Sequence, residues 1–388
     1  MSQSTSSGTE NSVKDRYAAA AITREAALCC PVEYDRQYLE VIPEEVIVKD
    51  YGCGDPSKFL NPGETVLDLG SGTGKICFIA SQVVGEAGQV IGVDMTDDML
   101  EVARRNTPIV AEKIGYSNVE FRKGRIQDLG LDLDALDKAL SEKPINGSNA
   151  FLAANELADE LRIKQPLVAD QSVDVVVSNC VLNLVESKAK HQLFQEIYRV
   201  IQDGGRAVIS DIVCDEPVPD RLQQNPELWS GCISGALTET EFLEAFAKVG
   251  FYGIEIVKRD EEPWQTVEGI EFFSVTIQAF KAKNEPNLER NQAAIYLGPF
   301  KKVLDDEGHW FERGHRHAVS DKNFQLYQKA PYQNQFALIS PKTAVPQESA
   351  QSFEFKPGQL RPLHETKGKD FKISTPASAC CEPGSDCC

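Results

Sequence analysis

Three of the 11 cysteines stand where separate loops could bring their thiols together. Cys180 closes the apolar run VDVVVSNC, Cys53 lies in the glycine-flanked turn YGCGDP, and Cys232 lies in the small-residue loop SGCISGA. Thiolate sulfur is a soft ligand, and the sequence has no CxxC and no Cys/His pair at zinc-finger spacing. The pattern therefore indicates a thiophilic ion as ligand. The alternative is that each cysteine is a small buried hydrophobic residue.

The other cysteines divide into three groups. Cys77, on a core-facing helix, and Cys214, at the end of a strand, are predicted to be structural. Cys29 and Cys30 are adjacent and cannot easily form a disulfide with each other. We expect that either both contact the ligand or neither does. The chain ends in thiol pairs with no apolar surroundings, for which we expect metalloid capture or thiol donation: Cys380, Cys381, Cys387 and Cys388.

A glycine-rich turn predicts a nucleoside cofactor. The stretch VLDLGSGTGK places Gly70, Gly72 and Gly74 directly after an apolar strand and at the start of a helix, where a ligand can lie against a backbone without Cβ atoms. The next strand ends in Asp94, whose carboxylate can accept hydrogen bonds from both ribose hydroxyls. The G-x-G-x-G spacing differs from the dinucleotide pattern, so it favours S-adenosylmethionine, which carries no phosphate. The alternative is that the glycines serve only a tight turn.

The elements that position these residues form an alternating pattern between Glu64 and Lys281. Short apolar runs alternate with amphipathic stretches of helical length, and residues 127–171 are predicted to contain two further helices. The candidate strands are ETVLDLG, QVIGVD, NVEFRKG, VDVVVSNC, RAVISDIV, GIEIVKRD and FFSVTIQAF. The pattern predicts an α/β fold with a seven-stranded sheet covered by helices on both faces. Ligands bind beyond the carboxyl ends of such strands, where Ile126 and Gln127 would lie near the adenine.

The predicted domain organisation has five parts. A polar, disordered leader is expected over 1–16, followed by a helical segment with the Cys53 loop over 17–63. The cofactor-binding domain is predicted over 64–283, with its helical insertion at about 129–165. A small β-rich C-terminal domain over 284–340 and a flexible tail over 341–388 complete the chain.

Composition excludes several classes of partner. Across 388 residues, 40 Lys and Arg oppose 59 Asp and Glu, and the net charge of −19 repels a phosphate backbone, so no nucleic acid partner is expected. No apolar run approaches the roughly 18 residues that a membrane helix needs, so no membrane partner is expected. The polar N-terminus shows no secretory signal, which predicts a cytoplasmic protein with reduced thiols. We expect a monomer.

Several motifs together resemble the arsenite S-adenosylmethionine methyltransferase family. The resemblance runs from about Cys29 to Ser340 through CCP, DYGCGDP, VLDLGSGTGK, VIGVDM, VVVSNCVLNLV, ELWSGCISGA and QAAIYLGPFKKVLDDEGH. It implies a class I methyltransferase (Rossmann-like) fold. It also implies that Cys53, Cys180 and Cys232 are catalytic and bind trivalent arsenic, with Cys29 and Cys30 as further candidate ligands. The cofactor site implied by these motifs comprises Tyr51, Asp68, Gly70, Gly72, Gly74, Asp94, Met95, Ile126, Gln127, Asn179 and Val181.

The implied activity is transfer of methyl groups from S-adenosylmethionine to thiolate-bound trivalent arsenic, a detoxification reaction. Arsenite or its thiol conjugates would be the substrate, and a thiol reductant of the glutathione or thioredoxin type would be a co-substrate, because methylation oxidises arsenic. Trigonal arsenic keeps a lone pair, so the enzyme has to orient it and needs no general base. Two alternatives remain: a methyltransferase of a small organic molecule such as a quinone or sterol, which would not need Cys53 and Cys232, and a non-catalytic metalloid-binding protein.

Overall fold

The computed structural model describes residues 6–22, 32–49, 51–283, 285–354, 356 and 358–367. The chain divides into two compact units, Met1–Lys283 and Asn284–Cys388. Cys29, Cys30 and the four C-terminal cysteines lie outside the described residues. Within the described ranges, no helix is both long enough and apolar enough to cross a lipid bilayer.

The first unit is built on a nine-stranded sheet. Its strands are β1 Thr65–Leu69, β2 Gln89–Asp94, β3 Val119–Lys123, β4 Val173–Asn179, β5 Ile201–Cys214, β6 Leu237–Thr238, β7 Phe251–Arg259, β8 Gln265–Val267 and β9 Ile270–Lys281. The strand order in the sheet is β3-β2-β1-β4-β5-β9-β7. Two short strands lie off this order: β6 pairs with β5, and β8 pairs with β9. Strands β1 to β5 are parallel, whereas β9 is antiparallel to both neighbours. The seven predicted strands are all present, which confirms the predicted fold class.

Helices cover both faces of this sheet. They are α1 Ser6–Ile22, α2 Arg36–Leu39, α3 Glu44–Ile47, α4 Lys75–Val84, α5 Asp97–Ile114, α6 Leu133–Glu142, α7 Ser148–Lys164, α8 Ser187–Val200, α9 Asp220–Gln223, α10 Pro226–Ser230 and α11 Glu239–Lys248. Successive strand residues point to opposite faces, so Val66 of β1 packs with α4 and α5, while Leu67 packs with α8 and α11. The strands are consequently apolar on both faces, as buried parallel strands require.

The functional edge of the sheet lies where β1 and β4 are neighbours. The chain runs outward from β1 to β2 and β3, then returns to place β4 on the other side of β1, with Leu69 paired to Ser178. The loops after β1 and β4 therefore leave the sheet in opposite directions and open a crevice between them. The glycine turn follows β1, and Cys180 follows β4.

The N-terminus differs from the prediction of a disordered leader over 1–16. Helix α1 begins at Ser6, and its residues Val13, Ala20 and Ala21 are buried, each with at most 4% of its surface exposed. The Arg16 guanidinium donates a 2.7 Å hydrogen bond to Ser230 Oγ of α10. The high Ser, Thr and Asn content concealed a narrow apolar stripe with helical spacing, and tertiary contacts stabilise the helix.

The two predicted helices of the insertion are α6 and α7. Asp132 caps α6 by accepting a 2.9 Å hydrogen bond from the Ala135 N–H. Arg162 of α7 pairs with Asp128 in the preceding loop at 2.9 Å. The insertion is therefore an ordered elaboration that begins after the adenine-side strand β3.

The second unit is β-rich and has its own core. Its elements are β10 Leu288–Glu289, β11 Gln292–Tyr296, β12 Lys302–Leu304, β13 Trp310–Glu312, β14 Arg316–Val319, α12 Asp321–Leu326, β15 Phe336–Ile339, β16 Gln351–Ser352 and α13 Leu363–Lys367. Strand β11 lies between β14 and β15. Tyr296, Phe311 and Tyr327 are each 1% exposed and form the centre of the core.

This unit continues past Ser340, where the sequence predicted a flexible tail. Strand β16 pairs with β10, so a segment beyond the predicted boundary completes a sheet. Arg361 is 5% exposed and donates to the Glu289 carboxylate at 2.9 Å and to the Gln292 carbonyl at 2.9 Å. The prediction relied on apolar periodicity, which does not reveal a segment that a buried arginine holds in place.

Candidate active site

A cleft with about 1150 Å³ of empty space opens at the carboxyl edge of the sheet, within the first unit. Ten of the eleven predicted cofactor residues line it: Tyr51, Asp68, Gly70, Gly72, Asp94, Met95, Ile126, Gln127, Asn179 and Val181. Gly74 is not among the lining residues. It precedes α4 with φ +92°, and a Cβ there would lie 2.6 Å from the Phe121 ring, so this glycine serves helix packing.

The glycine turn is fixed by the second strand. Gly70 and Gly72 have φ values of +71° and +52°, a region that favours glycine. The Gly70 N–H donates to the Val93 carbonyl at 2.8 Å, and the Gly72 N–H donates to Asp94 Oδ2 at 2.9 Å. A Cβ on Gly70 would approach Val181 to 2.4 Å. The turn therefore needs glycine both for its backbone conformation and for close contact with the loop after β4.

Asp94 occupies the position expected for a ribose ligand. Its Oδ1 accepts a 2.8 Å hydrogen bond from the Thr96 N–H, and its other oxygen accepts the bond from Gly72. Burial raises the pKa of Asp94 above its usual value, whereas the N–H donors of Thr96 and Gly72 oppose that shift. A carboxylate has about four acceptor positions, so Asp94 can still accept hydrogen bonds from a ligand.

Two polar atoms of the cleft point to a bound ligand. Ser71 Oγ and Glu186 Oε1 are buried and have no hydrogen-bond partner in the described part of the chain, and both residues line the cleft. Buried polar atoms are nearly always hydrogen-bonded, so these two indicate that a ligand supplies polar groups. Together with the glycine turn and Asp94, they fit S-adenosylmethionine.

The three predicted thiols share one buried cluster beside this cleft. Cys53, Cys180 and Cys232 are 2%, 4% and 4% exposed. The sulfurs of Cys180 and Cys232 and one carboxylate oxygen of Asp211 lie within 4.8 Å of one another, and the Cys232 thiol donates to the Cys180 carbonyl at 3.1 Å. Cys53 belongs to the same cluster but not to this group of three ligand atoms. The structure thus brings two thiols into ligand range and places the third nearby.

Asn179 holds the Cys53 loop. Its Oδ1 accepts hydrogen bonds from the Cys53 N–H at 2.9 Å and from the Gly54 N–H at 3.0 Å, and its Nδ2 donates to the Gly54 carbonyl at 2.8 Å. Ser274 Oγ donates to the Cys53 carbonyl at 2.7 Å. Gly52 is required here, because a Cβ would lie 2.0 Å from Asn179 Nδ2. Asn179 was predicted to contact the cofactor; it lines the cleft, but its amide positions a thiol.

Cys180 and Cys232 share an uncommon backbone conformation. Their φ values are +61° and +64°, in the left-handed region. This conformation costs a residue with a Cβ roughly 1–2 kcal/mol relative to the right-handed region. At both positions the surrounding structure fixes the backbone: the Cys180 N–H donates to the Ser210 carbonyl at 2.8 Å, and the Cys232 N–H donates to the Trp229 carbonyl at 3.0 Å. Strain of this kind is concentrated at functional sites.

A buried Asp–Lys pair lies beside the thiols, and no sequence pattern predicted it. Asp211 is fully buried in β5 and accepts 2.8 Å hydrogen bonds from the Leu182 and Ile212 N–H groups. Lys190 is 7% exposed and donates to the Leu182 carbonyl at 2.8 Å. Burial raises the pKa of Asp211 to about 6 and lowers the pKa of Lys190 to about 8. Asp211 thus places a buried carboxylate directly against the Cys180 and Cys232 thiols.

The two cysteines predicted to be structural are also buried. Cys77 donates to Asp68 Oδ2 at 3.2 Å, and burial beside that carboxylate raises the pKa of its thiol well above the usual value. Cys214 donates to the Ala236 carbonyl at 3.9 Å, and burial raises its thiol pKa to about 12. Both side chains therefore stay protonated at neutral pH.

Helix α1 contributes site residues that the sequence analysis missed. Glu10, Val13 and Tyr17 line the cleft, and the Tyr17 ring lies edge-on against the Tyr51 ring with 6.1 Å between the centroids. The Tyr51 hydroxyl donates to the Ala20 carbonyl of α1 at 3.0 Å. The available signal was the spacing of Val13, Tyr17 and Ala20, which places them on one helical face.

Comparison with protein families divides the chain in the same way. A methyltransferase domain family matches residues 60–162 and 155–250. A domain of unknown function, DUF8838, matches residues 283–371. The first match covers the strands and loops that form most of the cleft, but it excludes helix α1 and Tyr51.

Individual relatives cover more of the chain. An arsenite methyltransferase from Halobacterium salinarum is 40% identical over 212 residues, 54% of this chain and 43% of that protein. The arsenite methyltransferase of Aquipseudomonas alcaligenes is 32% identical over 78% of this chain and 80% of its own length. The arsenite methyltransferase of Homo sapiens is also 32% identical, over 79% of this chain and 75% of its own length. The crystal structure of an arsenic(III) S-adenosylmethionine methyltransferase from Chlamydomonas reinhardtii superimposes with a TM-score of 0.54 at 28% identity, covering 84% of this chain and 100% of that one. The chain belongs to the arsenite methyltransferase family.

Proposed function

We propose that this protein methylates trivalent arsenic held by Cys53, Cys180 and Cys232, with S-adenosylmethionine as the methyl donor. The observation that carries the proposal is the position of Cys180. This residue lines the cofactor cleft and also belongs to the group of ligand atoms with Cys232 and Asp211. One side chain therefore connects a methyl-donor site to a thiophilic site, as methylation of a thiolate-bound ion requires.

The cleft residues have distinct parts in cofactor binding. Asp94 would accept hydrogen bonds from the ribose hydroxyls, and Ile126 and Gln127 would contact the adenine. Ser71 and Glu186 would supply the remaining polar contacts through the atoms that lack partners in the described structure. When bound, S-adenosylmethionine supplies an electrophilic methyl group on its sulfonium.

The thiols bind and orient the substrate. When Cys53, Cys180 and Cys232 bind arsenite as As(OH)3, each thiol proton joins one hydroxyl group, and three waters leave as three As–O bonds break and three As–S bonds form. The arsenic keeps its lone pair, which is the nucleophile, so no side chain has to remove a proton in the methyl transfer step. The residues contribute orientation and exclusion of water, and orientation alone can lower a barrier by several kcal/mol.

Electron balance implies a second substrate. Transfer of a methyl cation equivalent to the arsenic lone pair raises arsenic from the trivalent to the pentavalent state. Oxidation of two thiols to one disulfide returns two electrons and restores trivalent arsenic. We infer a thiol reductant of the glutathione or thioredoxin type, and we keep Cys29 and Cys30 as further candidate ligands of the arsenic.

The test is arsenic speciation after incubation of the protein with arsenite, S-adenosylmethionine and a thiol. We expect methylated arsenic products that require both the cofactor and the thiol. Arsenite binding without methyl transfer from labelled cofactor would favour a metalloid-binding protein. Methylation of a quinol but not of arsenite would instead favour an organic substrate.

A further inference from the structure

We propose that Cys180, Cys232 and Asp211 form a binding site for a divalent thiophilic cation, and that Zn²⁺ is the ion that suits it. The two sulfurs and one Asp211 carboxylate oxygen lie within 4.8 Å of one another, and all three residues are buried. Among the described residues, this is the one group of three or more His, Cys, Asp or Glu ligand atoms at such distances. Its members come from separate parts of the chain, so zinc-finger spacing does not reveal it. The site goes beyond arsenite methylation, because it replaces Cys53 by a carboxylate.

The spacing of the three ligand atoms suits a tetrahedral ion. Bonds of about 2.3 Å from zinc to sulfur and about 2.1 Å to oxygen place neighbouring ligand atoms about 3.5–3.8 Å apart. Separations of at most 4.8 Å exceed these values by about 1 Å, which small side-chain rotations can close. Three protein ligands leave the fourth position for water or an external thiol, with access from the cleft that Cys180 lines.

Asp211 is already held in place as a ligand. Its carboxylate accepts 2.8 Å hydrogen bonds from the Leu182 and Ile212 N–H groups, and a carboxylate has about four acceptor positions, so it can still coordinate an ion. The Cys232 thiol donates to the Cys180 carbonyl at 3.1 Å, and this bond is released when the ion replaces the proton. The two thiol protons pass to solvent, and no atom changes its oxidation state. The carboxylate is thus the fixed ligand, and the thiols adjust to the ion.

Charge balance favours a divalent ion in this ligand set. Two thiolates, one carboxylate and Zn²⁺ together carry one negative charge, and the buried Lys190 ammonium compensates it. Lys190 donates to the Leu182 carbonyl at 2.8 Å, and the N–H of that same residue donates to Asp211. Buried charges are tolerated when they are paired. Trivalent arsenic on three thiolates is neutral by itself and leaves the Asp211–Lys190 pair unchanged, so the buried site can be neutral with either ion.

The two ions exclude each other, because both need Cys180 and Cys232. Zn²⁺ should therefore inhibit arsenite methylation competitively, raising the KM for arsenite while kcat stays unchanged, and a chelator should reverse the inhibition. This consequence rests on the proposed function, whereas zinc binding does not.

The test is calorimetric titration of full-length protein with Zn²⁺. All variants are made in a parent protein that carries serine in place of the six cysteines outside the described residues, so that those thiols bind no metal: Cys29, Cys30, Cys380, Cys381, Cys387 and Cys388. We expect one Zn²⁺ per parent protein, and an affinity at least about tenfold weaker in Asp211→Asn, because even outer contacts of a metal site are worth that much. Cys53→Ser should change the affinity by less than about twofold. Cys214→Ser is the matched control and should also leave the affinity unchanged, because its thiol lies in the same buried cluster but outside the ligand group.

The opposite pattern would overturn the inference. Weak binding in Cys53→Ser together with unchanged binding in Asp211→Asn would mean that zinc uses three thiols, and a parent protein that binds no Zn²⁺ would mean that there is no such site.

Cobalt spectroscopy keeps the test decisive if Asp211→Asn does not fold. Absorption by charge transfer from thiolate to bound Co²⁺ reports the sulfur ligands. The band should weaken in Cys180→Ser and in Cys232→Ser and stay unchanged in Cys53→Ser, and equal weakening in all three variants would overturn the inference. Zinc binding with the expected pattern in a protein that does not methylate arsenite would retain the site and refute the proposed function. Arsenite methylation by a protein that binds no Zn²⁺ would do the reverse.

Discussion

The cofactor side and the thiol side of the cleft are built in different ways. The cofactor side draws most of its residues from one stretch of chain, Asp68 to Gln127, and glycines provide its unusual backbone conformations. The thiol side joins Cys53, Cys180 and Cys232 from distant loops, and two of these cysteines themselves adopt positive φ. The glycine turn of the first region is held by backbone hydrogen bonds to Val93 and by Asp94, whereas the Cys53 loop of the second region depends on the side chains of Asn179 and Ser274. We therefore expect single side-chain changes to damage the thiol side more than the cofactor side.

The largest effect is expected from Cys180→Ser. A hydroxyl is a hard ligand and binds trivalent arsenic poorly, so arsenite methylation should fall by at least about 100-fold. Cys214→Ser is the matched control, because Cys214 is buried in the same cluster and its thiol only donates to the Ala236 carbonyl. The measurement is the rate of methylarsenic formation per folded protein. Wild-type turnover by Cys180→Ser would show that Cys180 is a packing residue.

A smaller loss is expected from Asn179→Ala, which frees the Cys53 loop. Three hydrogen bonds to that loop are lost, and at about 1 kcal/mol each they predict a drop of roughly 100-fold in arsenite methylation. Cofactor affinity, measured by calorimetry, should change less than about threefold.

Asn118→Ala is the control for that variant. The Asn118 amide also holds a loop, by donating to the Gly85 and Gly88 carbonyls at 2.9 and 3.2 Å, but it lies outside the cleft. It should lower the melting temperature and spare activity. Equal loss of activity in both variants would mean that Asn179 acts through general stability.

The cofactor side is tested by Asp94→Ala. The loss of hydrogen bonds to a charged acceptor predicts a cofactor affinity weaker by about 1.5–3 kcal/mol, while arsenite binding stays nearly intact. Calorimetric titration with each ligand separately gives both values. An unchanged cofactor affinity would remove Asp94 from the binding site, and a parallel loss of arsenite affinity would show that the two sides are not independent.

The smallest effect is expected from removal of the C-terminal cysteines. The cut belongs after Lys367 and not after Ser340, because Arg361 and β16 are part of the second unit. These thiols would help capture arsenic only when it is scarce, because at saturation the three site thiols bind it without help. We expect unchanged turnover at saturating arsenite and about half the rate at limiting arsenite in low external thiol. Superimposable titration curves would show that the tail is dispensable.

The sequence predicted the parts of this molecule that follow from local patterns. Strands β1, β2 and β4 are rich in apolar residues, and the glycine turn and Asp94 followed from their spacing around β1 and β2. The fold class depends on these elements alone, which is why it could be predicted in full.

Residues whose roles depend on distant contacts could not be predicted. Asn179 holds the Cys53 loop because that loop returns beside β4. Asp211 lies against two thiols because β5 is buried next to them. Neither contact leaves a periodic or compositional pattern. Tyr17 was within reach of a helical-stripe analysis, but the Ser-rich segment before it obscured the start of α1.

The left-handed backbone at Cys180 and Cys232 makes these thiols vulnerable to genetic drift. Glycine adopts that conformation freely, so replacing either cysteine by glycine would relieve roughly 1 kcal/mol of strain, minus what the buried sulfur contributes to packing. Every cysteine codon becomes a glycine codon by a single base change. A descendant of this gene in an arsenic-free habitat would therefore be expected to lose its thiols at these two positions first, while the glycine turn and the sheet persisted.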